Sequence, residues 1–362
     1  MKTGTPLSAL AERITNEAKS KRDFVADTRK LFFDATDGNV VIHGESDRRF
    51  KPTQLCLNQI ASRVGIPAKY MERMHNGHDD LLAQNINHWF AAAPEKRMLR
   101  CLDNGNKVAR AFLSDRFRPL DNYDLANAIL PKLADAGCEV KSCELTERRL
   151  YIQAVTPKLE DVIKARKAEG TQHRIGETND VVQAGIVISN SEVGCGAVKI
   201  EPMIFRLVCR NGLILPNSLR KYHVGRAGNG DESEDGNELF STETRKLSDR
   251  AFWAQVCDVV DGSLNEIKFR AKVREIEQKA DGKSLGNPVD VVEVATRVLE
   301  LSEGESKNVL QHLVEGGSLD LWGLTNAVTR AAEDCESYDR AIELERAGAT
   351  VLEMKPQDFA KN

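Results

Sequence analysis

Apolar positions along the first half of the chain alternate between a helical and a strand period. Leu7, Leu10, Ile14 and Ala18 recur at helical spacing just after Thr5-Pro6, which predicts a helix with proline at its start. "KLFFDATDGNVVIHG" places two β-rich runs around Asp37-Gly38 and predicts a hairpin. "KPTQLCLNQIASRVGIPAKYMERMH" reads as a helix ended by Gly65 and a second, short helix opened by Pro67. The plain helical pair is preferred there to a DNA-reading helix-turn-helix. "DDLLAQNINHWFAA" stays helical until Pro94.

The next stretch, "KRMLRCLDNGNKVARAFLSDRFRPLDNYDLANAILPKLADAG", predicts a strand, a turn at 103–106, a second strand and a helix. Asn-Gly between β runs is a strong hairpin signal. Asp121 is placed to cap that helix and Gly137 to end it. "CEVKSCELTERRLYIQAV" supplies two short strands and "KLEDVIKARKAEG" a helix. "VVQAGIVISNSEVGCGAVKIEPMIFRLVCRNGLIL" supplies two or three more strands, and from 243 on the periods are mostly helical. Hairpins alternating with helices predict an α+β fold: an antiparallel-rich sheet with packed helices, followed by a mostly helical C-terminal part. Trp253 and Trp322 read as core anchors of that part.

Composition narrows the class. The 362 residues are 41% apolar and 29% charged, enough for a sizeable core. No run of about 18 apolar residues occurs, and the N-terminal stretch has no apolar signal core. The expectation is a cytoplasmic protein with no membrane segment. The eight cysteines contain no CxxC pair, so reduced thiols are expected and a zinc site is not.

Charge changes the picture more. Residues 1–226 hold 35 Lys and Arg against 27 Asp and Glu, while residues 227–362 hold 16 against 28. The break falls in the Gly- and acid-rich "AGNGDESEDGNELFSTET". This reads as three units: an α+β sheet domain with a basic face over 1–226, an acidic flexible linker over 227–242, and an acidic helical region over 243–362.

Positive charge collects just before the break. "FRLVCRNGLILPNSLRKYHVGRAG", 205–228, carries five Lys or Arg, one His and no carboxylate. With strand parity over 204–210, Phe205, Leu207 and Cys209 share one face, and Arg206 and Arg210 share the other. Turns are expected at Asn211-Gly212 and Pro216-Asn217, with Arg220, Lys221, His223 and Arg226 around Tyr222 beyond them. Arg110, on the hairpin, and Arg116 and Arg118, beside Phe117, add to the basic set. Cations next to aromatics on an open sheet suit a single-stranded nucleic acid. The cations neutralise phosphates, and an aromatic face stacks on any base for about 1–3 kcal/mol.

Signals for catalysis are few. There is no GxxxxGK[ST], GxSxG or HExxH, and the GxG in "VGCGAVK" lacks the helix start a dinucleotide loop requires. No cofactor is expected. Asp115, Asp121 and Asp124 are the set that would hold a divalent ion in a nuclease, though helix capping and ion pairing suit them better.

"VARAFLSDRFRPLDNYDLANAILPKL", "FRLVCRNGLIL" and "LDLWGLTNAVTRAAED", in this order, resemble the phage- and plasmid-associated family called domain of unknown function 932. The resemblance covers roughly residues 25–350. The usual form of the middle motif has a small polar residue where Arg210 stands, so this copy is more basic. The family's setting and its sheet-plus-helix pattern are similar to single-strand annealing recombinases. That similarity implies ATP-independent binding and annealing of single-stranded DNA in phage or plasmid recombination or replication, by a homo-oligomeric ring or filament with no catalytic residue. The expected DNA contacts are Arg206, Arg210, Arg220, Lys221, Tyr222, His223, Arg226, Arg110, Arg116 and Arg118. Two other classes stay open: a mobile-element protein that binds a host defence or replication protein through its acidic helices, and a metal-dependent nuclease.

Overall fold

Two β-sheets, joined through a buried arginine, carry the helices of the chain. The computed structural model describes residues 1–163, 180–216, 219–221, 242–279 and 284–359. Helix α1 (Leu7–Ser20) leads into β1 (Lys21–Asp27), β2 (Leu31–Phe33), β3 (Val40–Ile42) and β4 (Arg48–Pro52). Helices α2 (Gln54–Arg63), α3 (Ala68–His75) and α4 (Asp79–Ala92) follow, then β5 (Lys96–Leu102) and β6 (Val108–Ser114). These six strands form one sheet in the order β1-β5-β6-β4-β3-β2, with β4 and β6 parallel and every other neighbour antiparallel.

Local chemistry explains the helices. The Thr53 hydroxyl accepts from the Cys56 N–H and starts α2. Gly65 ends it in the left-handed region (φ 76°), and Pro67 precedes α3. Helices α2, α3 and α4 cover one face of the sheet, and Phe33, Phe50, Ile60, Met71, Leu82 and Leu99 fill the layer between.

Helix α5 (Asn122–Asp135) opens the second unit, followed by β7 (Glu139–Leu145), β8 (Leu150–Ile163), β9 (Asp180–Asn190), β10 (Val198–Arg206), β11 (Asn211–Ile214) and β12 (Leu219–Lys221). All pairings are antiparallel. Strands β11 and β12 lie along the same side of β10. Strand β11 pairs with 203–206 and β12 with 198–200. Pro216 lies between them and has no N–H to give a continuous ladder.

Both faces of this sheet are covered. Ile152, Ala154, Ile186, Ile188 and Ile200 pack on α1, α5 and α6 (Thr242–Ser263). At the far end of the same face, Val182, Ala184 and Ile204 meet Phe269 and Val273 of α7 (Glu266–Lys279). Helices α8 (Pro288–Leu299), α9 (Glu303–Gly316), α10 (Leu321–Arg330) and α11 (Tyr338–Glu353) build their own core around Leu324, Val328 and Leu344. Helix α11 covers the other face, with Tyr338 and Ile342 against Tyr151, Val187, Met203 and Phe205. The C-terminal helices therefore share apolar cores with the second sheet. Trp322 is buried in one of them and Trp253 packs half-buried on another.

Three expectations change. Leu159–Ile163 was expected to be helical but continues β8, because a bulge after Thr156 lets Glu160–Ile163 pair with Asp180–Gln183. The strand expected over 204–210 stops at Arg206, and 207–210 is a turn with Arg210 in the left-handed region (φ 49°). Ile204 and Phe205 are both buried because both faces of the sheet are covered, a case in which inside-outside alternation fails. Asp121 sits at the cap position of α5 but makes no side-chain cap. The predicted linker lies outside the described residues, apart from Thr242 at the start of α6.

The carboxylate of Asp121 is used elsewhere. Arg100 on β5 is fully buried and reaches three elements: Nε to Asp23 at 3.1 Å, Nη2 to Asp121 at 2.8 Å, and Nη1 to the Glu192 carbonyl at 2.9 Å. Lys21 also holds Asp121. Burial alone would raise the Asp121 carboxyl; Arg100 and Lys21 overcome it and hold it below the usual range.

The interface of α11 is polar for a helix on a sheet. Tyr151 donates to Asp339 at 2.7 Å, Tyr338 and Ser142 share a bond of 2.7 Å, and Arg346 grips Glu201 with Nε at 3.0 Å. Gln153 donates to Glu345, which is buried and leaves Oε1 without a partner.

Two outcomes are expected. Replacing Arg100 with Leu leaves the half-buried Asp121 with Lys21 alone and strips the Glu192 carbonyl of its donor, and the urea midpoint should fall by the equivalent of about 3 kcal/mol. A loss no larger than that of Arg48→Ala, which removes an exposed side chain, would refute a joining role. Glu345 has the opposite sign. Burial pushes its carboxyl from 4.5 up to about 7, against the pull of the N-terminal amine, Gln153 and Arg346. Its folded pKa exceeds its unfolded one, so its contribution is complete below about 4.5 and is lost as pH rises through about 7. Glu345→Gln should therefore be more stable than the parent at pH 8, by on the order of 2 kcal/mol, and equal to it near pH 4. Denaturation at the two pH values checks this.

Candidate nucleic-acid interface

The ten predicted contact residues fall into three groups. Two are tied up in partly buried ion pairs. Arg206, at the end of β10, places Nη2 2.5 Å from Asp180 and Nη1 3.2 Å from the Cys209 sulfur. Asp180 is buried and also accepts from Trp322 Nε1 at 3.0 Å, so α10, β9 and β10 meet on one carboxylate. Arg110 stands unpaired at a bulge of β6, between the pairs Cys101–Ala109 and Arg100–Ala111. The bulge aims it at Glu17 of α1, at 2.7 Å, and at Glu192 beyond β9. Glu192 in turn accepts from the Asn122 N–H at 2.6 Å. Each guanidinium was expected to face a strand of DNA and instead has a protein carboxylate, because a partly buried cation requires one.

A second group lies outside those ion pairs. Arg210 is exposed in the turn after β10, beside the exposed Leu207 and Val208. Arg116 is exposed after β6. Arg118 is half-buried and has a partner of its own. The backbone of Arg220 and Lys221 belongs to β12, opposite Lys199 and Val198 of β10. Tyr222, His223 and Arg226 lie outside the described residues.

Strand register sets the scale. Arg206 pairs with Val182 near the start of β9, while Lys199, opposite Arg220, pairs with Ser189 near its end. Seven residues of β-strand separate Lys199 from Arg206, about 23 Å. The acid-free stretch therefore runs lengthwise along one edge of the sheet, from Arg210 at one end to Arg220 and Lys221 at the other. The exposed Leu207 and Val208 were not expected in this surface. Their signal was the Val-Cys-Arg-Asn run, too short and too polar after Arg206 to stay in a two-sided ladder.

The three aspartates considered for a metal do not assemble. Asp115 accepts from Ser114 at 3.2 Å, Asp121 belongs to Arg100 and Lys21, and Asp124 has its own partner. Among the described residues no group of three or more His, Cys, Asp or Glu is placed to hold a metal ion. Every cysteine is a free thiol, and burial raises the pKa of Cys56, Cys101 and Cys143. No described helix is long and apolar enough to cross a membrane.

The division into tied and accessible cations has a direct check. Arg206→Ala leaves Asp180 buried beside Trp322 with one charge uncompensated, and should lower stability by about 3 kcal/mol. Arg210→Ala, at an exposed turn, should stay within about 0.5 kcal/mol of the parent. Equal losses in chemical denaturation would contradict the assignment.

No curated protein and no solved structure matches the chain. The match to a family is narrower than the motifs suggest, and leaves "LDLWGLTNAVTRAAED" outside it: residues 111–283, from β6 through α7, match the model of a family described as Domain of unknown function (DUF932).

Proposed function

We propose that the protein binds single-stranded DNA without ATP, and anneals complementary strands, along the side of β10 that runs from the 207–210 turn to β12. One observation carries this reading. In 205–228 five Lys or Arg occur without a carboxylate, and the structure neutralises only Arg206 among those whose side chains it describes. Arg210 stands at one end of a sheet edge about 23 Å long, and the backbone of Arg220 and Lys221 at the other. Phosphates take cations in that arrangement without reading sequence. The contacts proposed are Arg210, Arg220, Lys221 and Arg226, with Tyr222 for stacking and Arg116 as an outlying cation. Arg206 and Arg110 support the fold beneath them. A homo-oligomer would extend the edge into a continuous track, as annealing along a strand requires.

The test is binding to a fluorescent single-stranded oligonucleotide over a range of salt. Replacing Arg220 and Lys221 together with Ala should flatten the plot of log affinity against log salt by about 1.4, some 0.7 for each lost phosphate contact. The loss should be the same on unrelated sequences. Tyr222→Ala should weaken binding and leave the slope alone. A folded parent protein that fails to bind at low salt removes the proposal. The charges of β12 would then serve only to keep a sheet edge from pairing with others.

A further inference from the structure

A second basic cluster lies on the first sheet. An open cleft of about 450 Å³ separates α2 from the β5–β6 hairpin. Arg63, from the last turn of α2, and Arg97, from β5, line it together with Asn58, Ser62, Phe112 and Ser114, and no carboxylate lines it. Gln59 fixes its walls. The side-chain oxygen accepts from the Phe112 N–H at 2.8 Å, and the nitrogen donates to the Val193 carbonyl at 2.7 Å. Helix, hairpin and the loop after β9 are thereby pinned together.

The two guanidinium groups share one carboxylate. Arg97 holds Glu95 through Nε at 2.7 Å and Nη2 at 2.9 Å, and Arg63 holds the same group through Nε and Nη2. One negative charge against two positive ones leaves a surplus, and each Nη1 stands outside that pairing. The guanidinium carbon of Arg97 lies 5.8 Å from the ring centroid of the buried Phe112, which stacks on Phe90, so the guanidinium of Arg97 covers that ring on the cleft side. Asn58 accepts from Gln54 through its oxygen at 3.2 Å, which leaves its amide nitrogen as a donor. Arginine forks suit phosphate, and a flat guanidinium suits an aromatic base. The cleft is larger than a phosphate needs.

We infer that this cleft binds a nucleotide, its phosphate on the exposed Arg63 and its base against the guanidinium of Arg97. The nucleotide is either free or the 5′-terminal unit of a DNA strand. The inference is independent of the β12 edge, so either can fail alone.

The experiment is calorimetric titration of the full chain with deoxyadenosine monophosphate, deoxyadenosine and inorganic phosphate. The monophosphate should bind, and both fragments should bind about tenfold or more weakly. Arg63→Gln should weaken the monophosphate about tenfold with the thermal midpoint kept, since this side chain is largely exposed. Arg63→Lys should recover only part, because it restores charge but no fork. An oligonucleotide with a 5′-phosphate that competes, while its 5′-hydroxyl twin does not, identifies a strand end as the source; no competition by either identifies a free nucleotide. Inorganic phosphate binding as tightly as the monophosphate would overturn the assignment of a nucleotide. So would no binding at millimolar concentration, or binding that survives both Arg63→Gln and Arg97→Gln.

Discussion

A guanidinium with no access to water must be satisfied on every side, and that demand organises this protein around Arg100. Its three groups reach β1, the start of α5 and the loop beyond β9. The first two are carboxylates and the third is a backbone carbonyl. The two sheets cannot move apart without stranding a charge in a low-dielectric interior. Glu192 extends the constraint: its carbonyl serves Arg100, one carboxylate oxygen takes the Asn122 N–H, and the other takes Arg110, which also grips α1. Helix α5 is thus oriented from below by charge, not by the cap its sequence suggested.

Apolar layers supply most of the stabilisation, while these polar joints set which layer meets which. The second sheet shows the division. Its face toward α1, α5 and α6 is apolar along its length, whereas the face under α11 mixes Tyr151, Gln153 and Glu201 with Val187 and Met203. A helix that only needed to bury surface could slide along such a face. Hydrogen bonds made by Tyr338 and Arg346, and accepted by Asp339 and Glu345, fix its register.

The sequence was most legible where structure is local. Asp37-Gly38 and Asn104-Gly105 gave their hairpins, and Gly65 and Pro67 gave the break between α2 and α3, because each signal acts within a few residues. The α+β class followed from the same signals. The fate of individual cations was not legible. Arg206 finds its carboxylate 26 residues upstream, and Arg100 finds its partners 77 and 21 residues away. Strand parity offered no substitute once both faces of β10 were covered. The basic character of 205–228 was plain from composition, but which of its charges stay accessible depends on those distant pairings. Nothing in a linear sequence shows that Arg63 and Arg97 share Glu95.

The break at Pro216 bears on how copies of this chain can assemble. An uninterrupted outer strand would invite a neighbour to add its own strand and extend the sheet from molecule to molecule. Here the described outer ladder comes in two pieces, Asn211–Ile214 and Leu219–Lys221, on either side of Pro216. On that side of β10, a strand added by another copy would find no unbroken run to pair with.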